Sequence, residues 1–143
     1  MNRLTAALAC AGLVGLAGCD PAARAPHAGQ ATEQAQAMQQ MKMDVDAIAA
    51  FTGSKIARSD ALAASQDLLA WSKRLPDLFP PAQVSALYVD LTPEMAQAAP
   101  DAMRRTAERL AATLVSASPA DVAVQLTVTE TQGCGACHRK GYQ

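Results

Sequence analysis

Two cysteines, Cys134 and Cys137, stand near the end of the chain and are followed at once by His138. Residues three apart lie side by side on a helix, so this spacing brings both thiols to one side of a helical turn. The next residue presents an imidazole beside them. Any group that binds these three side chains must therefore lie against the last helix of the chain.

The first eighteen residues indicate that the chain is exported. Arg3 is followed by an uncharged run from Leu4 to Gly18, typical of a secretory signal peptide and too short for a good membrane span. The run closes with Leu16-Ala17-Gly18-Cys19, which is similar to the lipobox of bacterial lipoproteins. We therefore predict a signal peptide over 1–18, lipidation of Cys19 and a periplasmic, lipid-anchored protein. The alternative is an ordinary cleavage site with a chance cysteine, and the choice between inner and outer membrane stays open.

Export restricts the chemistry of the other cysteines. Of four in total, Cys10 leaves with the signal peptide and Cys19 takes the lipid, so Cys134 and Cys137 remain. In an oxidising compartment such a pair becomes oxidised, metallated or covalently occupied. Cys-x-x-Cys-His predicts one haem c joined through both sulfurs, with His138 as the proximal iron ligand. A thioredoxin-like pair, which follows a strand, and half of a four-ligand zinc site are the alternatives.

The chain after Cys19 divides into a tether and one domain. Residues 20–30 are rich in Pro, Ala and Gly without periodicity, so 19–30 is expected to be a flexible, lipidated tether in which His27 is solvated. The folded domain is expected over 31–143. Because the chain has 33 alanines and only five aromatic residues, its composition favours closely packed helices over a sheet core.

The apolar pattern predicts two helices in the first half of the domain. Met38, Met41, Val45 and Ile48 form one stripe of a helix from Ala31 to about Phe51, which Gly53 terminates. The second helix is expected to run from an N-cap at Ser59 to near Pro76. A long connection follows, in which 92–94 could start one short helical turn.

Two more helices are predicted in the second half. Pro100 opens the third, and Ser118 caps the fourth, which runs from about 119 to 138. Apolar residues alternate from Val122 to Val128, a period of two that by itself indicates a strand. Because a single strand has nothing to pair with, we interpret this segment as helical. The predicted fold is an all-α, antiparallel four-helix bundle.

The order of elements and the motif resemble the class II cytochromes c, meaning cytochrome c prime and its Met-ligated low-spin relatives. The resemblance covers roughly 31–142 and includes Gln34-Ala35-Gln36-Ala37-Met38, Leu75-Pro76 and Pro93-Glu94-Met95. It implies haem attachment near the end of the last helix and puts Met38 at the open face of the iron as the sixth-ligand candidate. Met41 lies on the same stripe as an alternative, and Met43 points away. The family's common homodimer is a further implication.

Three positions depart from that family's pattern. Gln34 stands where the family has Arg, and Tyr142 where it commonly has a basic residue, so charge contacts to the haem propionates fall to Arg139 or Lys140. Ala96 replaces an aromatic residue, which alters packing near the haem.

These observations predict an electron carrier. Met ligation favours single-electron transfer, whereas a five-coordinate iron would bind nitric oxide or carbon monoxide. A haem-free structural lipoprotein is the third possibility. A net charge of -1 provides no general positive field to attract nucleic acid, so nucleic-acid binding is not expected. No acid–base pair or nucleophile can be placed at the open face of the iron, so we do not expect an enzyme. A redox partner protein, unidentified from the sequence, would dock through local patches.

Overall fold

The computed structural model describes residues 25–87 and 91–138, and all regular structure within these ranges is helical. Its elements are α1 (Ala25–Thr52), α2 (Arg58–Leu78), α3 (Pro81–Leu87), α4 (Pro93–Leu114), α5 (Pro119–Val128), a π-helical turn (Thr129–Cys134) and α6 (Gly135–Cys137). The last three elements follow one another directly, and together they are called the C-terminal helix. The predicted all-α class is confirmed.

The first helix begins earlier than the predicted Ala31. α1 starts at Ala25, so part of the 19–30 segment expected to be a flexible tether is helical, which corrects that boundary. Pro26 lies in the first turn, where its missing N–H removes no helical bond, and the Ala- and Gln-rich sequence after it has high helix propensity. The helix ends at Thr52, and Ser54 rather than Gly53 takes the left-handed conformation, with a φ of 59°.

The second helix passes through the proline that was predicted to end it. α2 begins at Arg58 after Ala57, so Ser59 is not its N-cap. Pro76 lies inside the last turn, and the Phe79 amide donates to the Leu75 carbonyl at 2.8 Å behind it. Because proline has no N–H, α2 continues through Pro76 without the backbone bond that this residue would otherwise donate.

The third predicted helix starts earlier than expected. Thr92 Oγ1 accepts a bond from the Met95 amide at 3.3 Å, and Pro93 occupies the first turn. Residues 92–94 therefore open the long α4 itself rather than a separate turn, and Pro100 is buried within it. The cap and the first-turn proline outweigh the interruption at Pro100. The short α3 in the preceding connection was not predicted.

The prediction of a helix after Ser118 is confirmed. Ser118 Oγ accepts from the Asp121 amide at 3.2 Å, which makes it the N-cap. Val122 and Leu126 are buried, whereas Val124 between them is 68 % exposed. The buried residues are thus spaced by four, as in a helix, and the alternation in the sequence did not correspond to alternate faces of a strand.

One core joins the long elements. α1 contacts α2 and α5, while α4 contacts α2, α5 and the π-helical turn. The core residues are Met41, Ile48, Phe51, Ala61, Ala64, Leu68, Leu75, Met103, Ala107, Leu110, Leu114, Val122 and Leu126. Several are alanines, and small side chains let helix backbones approach closely. None of the helices described combines the length and the apolar character that a membrane span requires.

Arg58 of α2 contacts residues of α1 and α4 at one end of this core. Its guanidinium donates to the carbonyls of Leu114 and Ala117, at 2.6 and 2.7 Å, and so satisfies acceptors at the end of α4. The guanidinium carbon also lies 4.9 Å from the ring centre of Phe51, near the end of α1.

Candidate functional site

A cavity of about 430 Å³ lies between α1, α4 and the end of the C-terminal helix. It is the size of a binding site for a sizeable organic molecule. Both thiols and the imidazole of the Cys-x-x-Cys-His segment line it, and so do two methionines of α1. The lining residues are Met38, Met41, Lys42, Val45, Asp46, Leu75, Phe79, Val84, Pro100, Met103, Glu130, Gly133, Cys134, Cys137 and His138. The fold therefore brings together the two cysteines predicted to attach the haem and the residues predicted to ligate its iron.

The cysteine segment begins within the π-helical turn. The Gly135 amide donates to the Glu130 carbonyl across that turn, and the His138 amide donates to the Cys134 carbonyl at 3.1 Å. His138 has φ and ψ of -103° and 47°, so the helical conformation stops there. A π-helical turn inside a longer helix is frequently found at functional sites. Here it directly precedes the residues that line the cavity.

Both thiols are partly buried and lack the activation that a redox pair needs. Burial and, to a smaller extent, the nearby Glu130 carboxylate raise the pKa of Cys134 to about 11. Burial also raises the pKa of Cys137. A redox-active Cys-x-x-Cys has a lowered thiol pKa and begins a helix after a strand, and neither feature is found in the described chain. The surroundings of these thiols thus disfavour the thioredoxin-like alternative.

The described residues also lack a compact set of metal ligands. In the ranges 25–87 and 91–138 no three His, Cys, Asp or Glu side chains are grouped so that they could hold one metal ion. That includes Cys134, Cys137 and His138, whose side chains do not converge on a common point although they are close in sequence. A tetrahedral zinc site, which needs four ligands, is disfavoured there.

The two methionines of α1 line the cavity on one face of that helix. Met38 is half-buried and Met41 is 7 % exposed, so both thioethers lie against the cavity. Met43, predicted to point away, is 55 % exposed and does not line it. The helical stripe read from the sequence thus separates Met43 from the other two, but it does not choose between Met38 and Met41.

Several cavity residues were not identified as site residues from the sequence. Met103 was assigned only to the core, yet its Sδ lies 3.9 Å from the Cys134 Sγ. Phe79 and Val84 come from the connection around α3, which the apolar pattern did not resolve. Lys42 and Asp46 form an ion pair of 2.5 Å, and with Glu130 they supply charged groups to the lining. For this pair, the sequence did contain one indication, because Lys42 lies four residues, or one helical turn, after Met38 and so on the same face of α1.

Gln34 has a structural role at the position where the resembling family has Arg. Its Nε2 donates to the Leu78 carbonyl at 2.5 Å and to Gln83 Oε1 at 3.1 Å, which ties α1 to the end of α2. The other substitutes considered for that arginine, Arg139 and Lys140, lie outside the described residues, as do Tyr142 and Cys19. Lipidation and propionate contacts by those residues stay predictions.

The donor set and the lining fit a covalently attached haem. Two thiols can bond the porphyrin edge, while an imidazole and a methionine thioether are the axial ligands that iron takes in many cytochromes. Apolar side chains cover most of the lining, and Lys42, Asp46 and Glu130 add polar groups suited to an amphipathic molecule.

Comparisons of the chain with protein-family models, with curated proteins and with solved structures find no match. The site is therefore interpreted from its own residues.

Proposed function

We propose that the chain is a membrane-tethered periplasmic c-type cytochrome that carries one covalent haem and transfers single electrons. The observation that carries this proposal is the shared cavity, which is lined by Cys134, Cys137 and His138 from one side of the fold and by Met38 and Met41 from α1. Such a set of soft and imidazole donors around an apolar space matches haem chemistry and no other group considered.

Each of these side chains has a distinct role in the proposal. Cys134 and Cys137 hold the porphyrin through thioethers, so that the group stays bound in either oxidation state. His138 is the proximal iron ligand, and Met38 is the preferred distal ligand, with Met41 as the alternative. When bound, the haem supplies an iron that changes oxidation state by one electron. Ligation on both faces keeps structural reorganisation small and favours fast transfer.

The same proposal includes the finer architecture. We infer an antiparallel four-helix bundle built from α1, α2, α4 and the C-terminal helix, with the haem near the end of the last. The cyclic contacts of α1 with α2, α2 with α4, α4 with α5 and α5 with α1 support it. In this proposal a signal peptide over 1–18 and a lipid on Cys19 hold the bundle outside the cytoplasm, where a redox partner protein would reach it. The lipid is tested by mass spectrometry of the mature N-terminus.

The optical spectrum of the protein co-expressed with a haem-attachment system tests the function. We expect covalent haem, sharp reduced bands of a low-spin iron, and in the oxidised form the weak red band of Met ligation. Met38→Ala should abolish the red band, whereas Met43→Ala, on the same helix but 55 % exposed, should leave it unchanged. Replacing both cysteines by serine should prevent covalent attachment. Purified protein without haem would overturn the proposal and leave a structural lipoprotein.

Binding of small gases is the second candidate function. It is favoured by the apolar wall of Val45, Leu75 and Phe79, which suits an uncharged diatomic ligand beside the iron. A broad high-spin spectrum that sharpens on addition of nitric oxide or carbon monoxide, and that Met38→Ala does not change, would establish gas binding in place of electron transfer.

A further inference from the structure

Gly133, the residue before the first thiol, lies in close contact with α4. A Cβ placed on it would be 2.5 Å from Thr106 Oγ1 and 2.8 Å from Met103 Sδ. Real Cβ atoms do not approach other atoms that closely, so any side chain here would push the C-terminal helix and α4 apart. Thr106 is 2 % exposed and does not line the cavity, so its short side chain has little space to withdraw.

Glycine is required at position 133 because α4 leaves no room for a Cβ atom. No described glycine has a positive φ, so Gly133 is not needed for a left-handed backbone. Gly135, two residues later, provides the comparison: a Cβ there would meet only the Glu130 carbonyl oxygen, at an ordinary 3.4 Å. The two glycines of this segment thus differ in packing and not in backbone conformation.

A buried hydroxyl group lies at the same contact. Thr129 is fully buried, and its hydroxyl lies 3.3 Å from the Thr106 carbonyl of α4 and 2.9 Å from the Gln125 carbonyl of its own helix. Thr129 and Gly133 are one turn apart and both contact α4 around Thr106. We call Thr106, Thr129 and Gly133 the α4 seat. It lies directly before Cys134, whose sulfur is 3.9 Å from Met103 Sδ.

We propose that Gly133 is a positioning residue that sets how closely the Cys-x-x-Cys-His segment approaches α1. Because the seat fixes the start of that segment against α4, it also fixes where His138 lies relative to Met38 and Met41 across the cavity. A methyl group at position 133 would lift the segment away from α4 and shift His138, the residue that would hold the iron, relative to Met38 and Met41. This inference rests on the proposed function, since it concerns an attached haem.

The test compares holoproteins carrying Gly133→Ala, Gly135→Ala, Thr106→Ala and the double change Gly133→Ala with Thr106→Ala. Pyridine haemochrome spectra first establish that each contains haem with two thioethers. The readouts are the ferric EPR spectrum and the reduction potential, which report on the axial ligands and which simple loss of stability does not move. We expect Gly133→Ala to change both, with part of the iron converted to high spin. Gly135→Ala and Thr106→Ala should keep the wild-type values.

The double variant tests the contact itself. Thr106→Ala removes the nearest atom to the added methyl but keeps the carbonyl that Thr129 contacts, so it should move the EPR spectrum of Gly133→Ala back toward wild type. If Gly133→Ala alone does not accumulate, recovery of the holoprotein in the double variant supports the same contact. Wild-type EPR and potential in Gly133→Ala, or a double variant no closer to wild type than the single one, overturn the inference. Absence of haem from the wild-type protein is a separate result that overturns the proposed function and this inference with it.

Discussion

Arg58 provides the most quantitative prediction of the stability of this fold. Its two hydrogen bonds reach the carbonyls of Leu114 and Ala117 at the end of α4, and its guanidinium lies over Phe51 of α1. Val115, beside these carbonyls, is 65 % exposed, so water can replace part of what a substitution removes. We therefore take about 1 kcal/mol for each hydrogen bond. The cation–π contact adds about 0.5–1 kcal/mol.

Arg58→Ala is accordingly expected to lower the free energy of unfolding by about 2.5–3 kcal/mol. Arg58→Lys keeps the charge but loses the planar fork of donors, so its cost should lie between that of alanine and zero. The assay is urea unfolding of the purified holoprotein, monitored by far-ultraviolet circular dichroism. The slope of the unfolding free energy against urea concentration should be the same in every variant, which indicates that only stability has changed.

Arg109 supplies the matched control, because it is an exposed arginine of α4. Arg109→Ala should change the free energy of unfolding by less than about 0.5 kcal/mol. If Arg58→Ala costs no more than Arg109→Ala, the contacts of Arg58 do not stabilise the fold and the reasoning is wrong.

Three further predictions concern single polar side chains. Burial raises the pKa of Asp44 above its ordinary value of 3.8, so the native state binds this proton more tightly than the unfolded chain and loses stability as the pH rises from about 3.8 through the native pKa. Asp44→Asn should therefore be more stable than the wild type at neutral pH, and this difference in thermal unfolding should vanish as the pH falls below 4. A difference that stays constant with pH would contradict this reasoning. Thr129→Val keeps the shape but removes the hydroxyl that lies near the Thr106 carbonyl, so urea unfolding should show a loss of about 1 kcal/mol. Ser118→Ala removes the N-cap of the C-terminal helix and should cost about 1 kcal/mol, and Ser118→Thr, which keeps a hydroxyl that can cap the helix and donate to Asp121, should restore most of it.

The Cys-x-x-Cys-His spacing predicted that Cys134, Cys137 and His138 belong to one site, and the resemblance to the class II cytochromes c added Met38, with Met41 on the same helical stripe. All five line one cavity. The spacing and the stripe are local patterns of a helix, in which spacing determines the face. The exclusion of Met43 follows from the same geometry, and its 55 % exposure agrees with it.

Features that depend on contacts between elements could not be predicted in this way. Pro76 and Pro100 were given their usual roles at helix ends, but both lie within helices, and Pro100 is buried against the neighbouring elements. The need for a glycine at position 133 depends on Thr106 and Met103 in another helix. No pattern within the C-terminal helix contains that information.

A π-helical turn contains one residue more than the α-helical turn it replaces, so the residues beyond it lie about 100° behind the positions that an uninterrupted α-helix of the same sequence would give them. In this chain the turn stands between Thr129, which contacts α4, and Cys137, which lines the cavity. Deleting a single residue between Thr129 and Gly133 would restore regular α-helix and leave both thiols and the imidazole on the face they now occupy. Deleting one residue of α5 instead would rotate these three side chains by about 100°. The turn thus lengthens the C-terminal helix by one residue without changing the face that its last residues present.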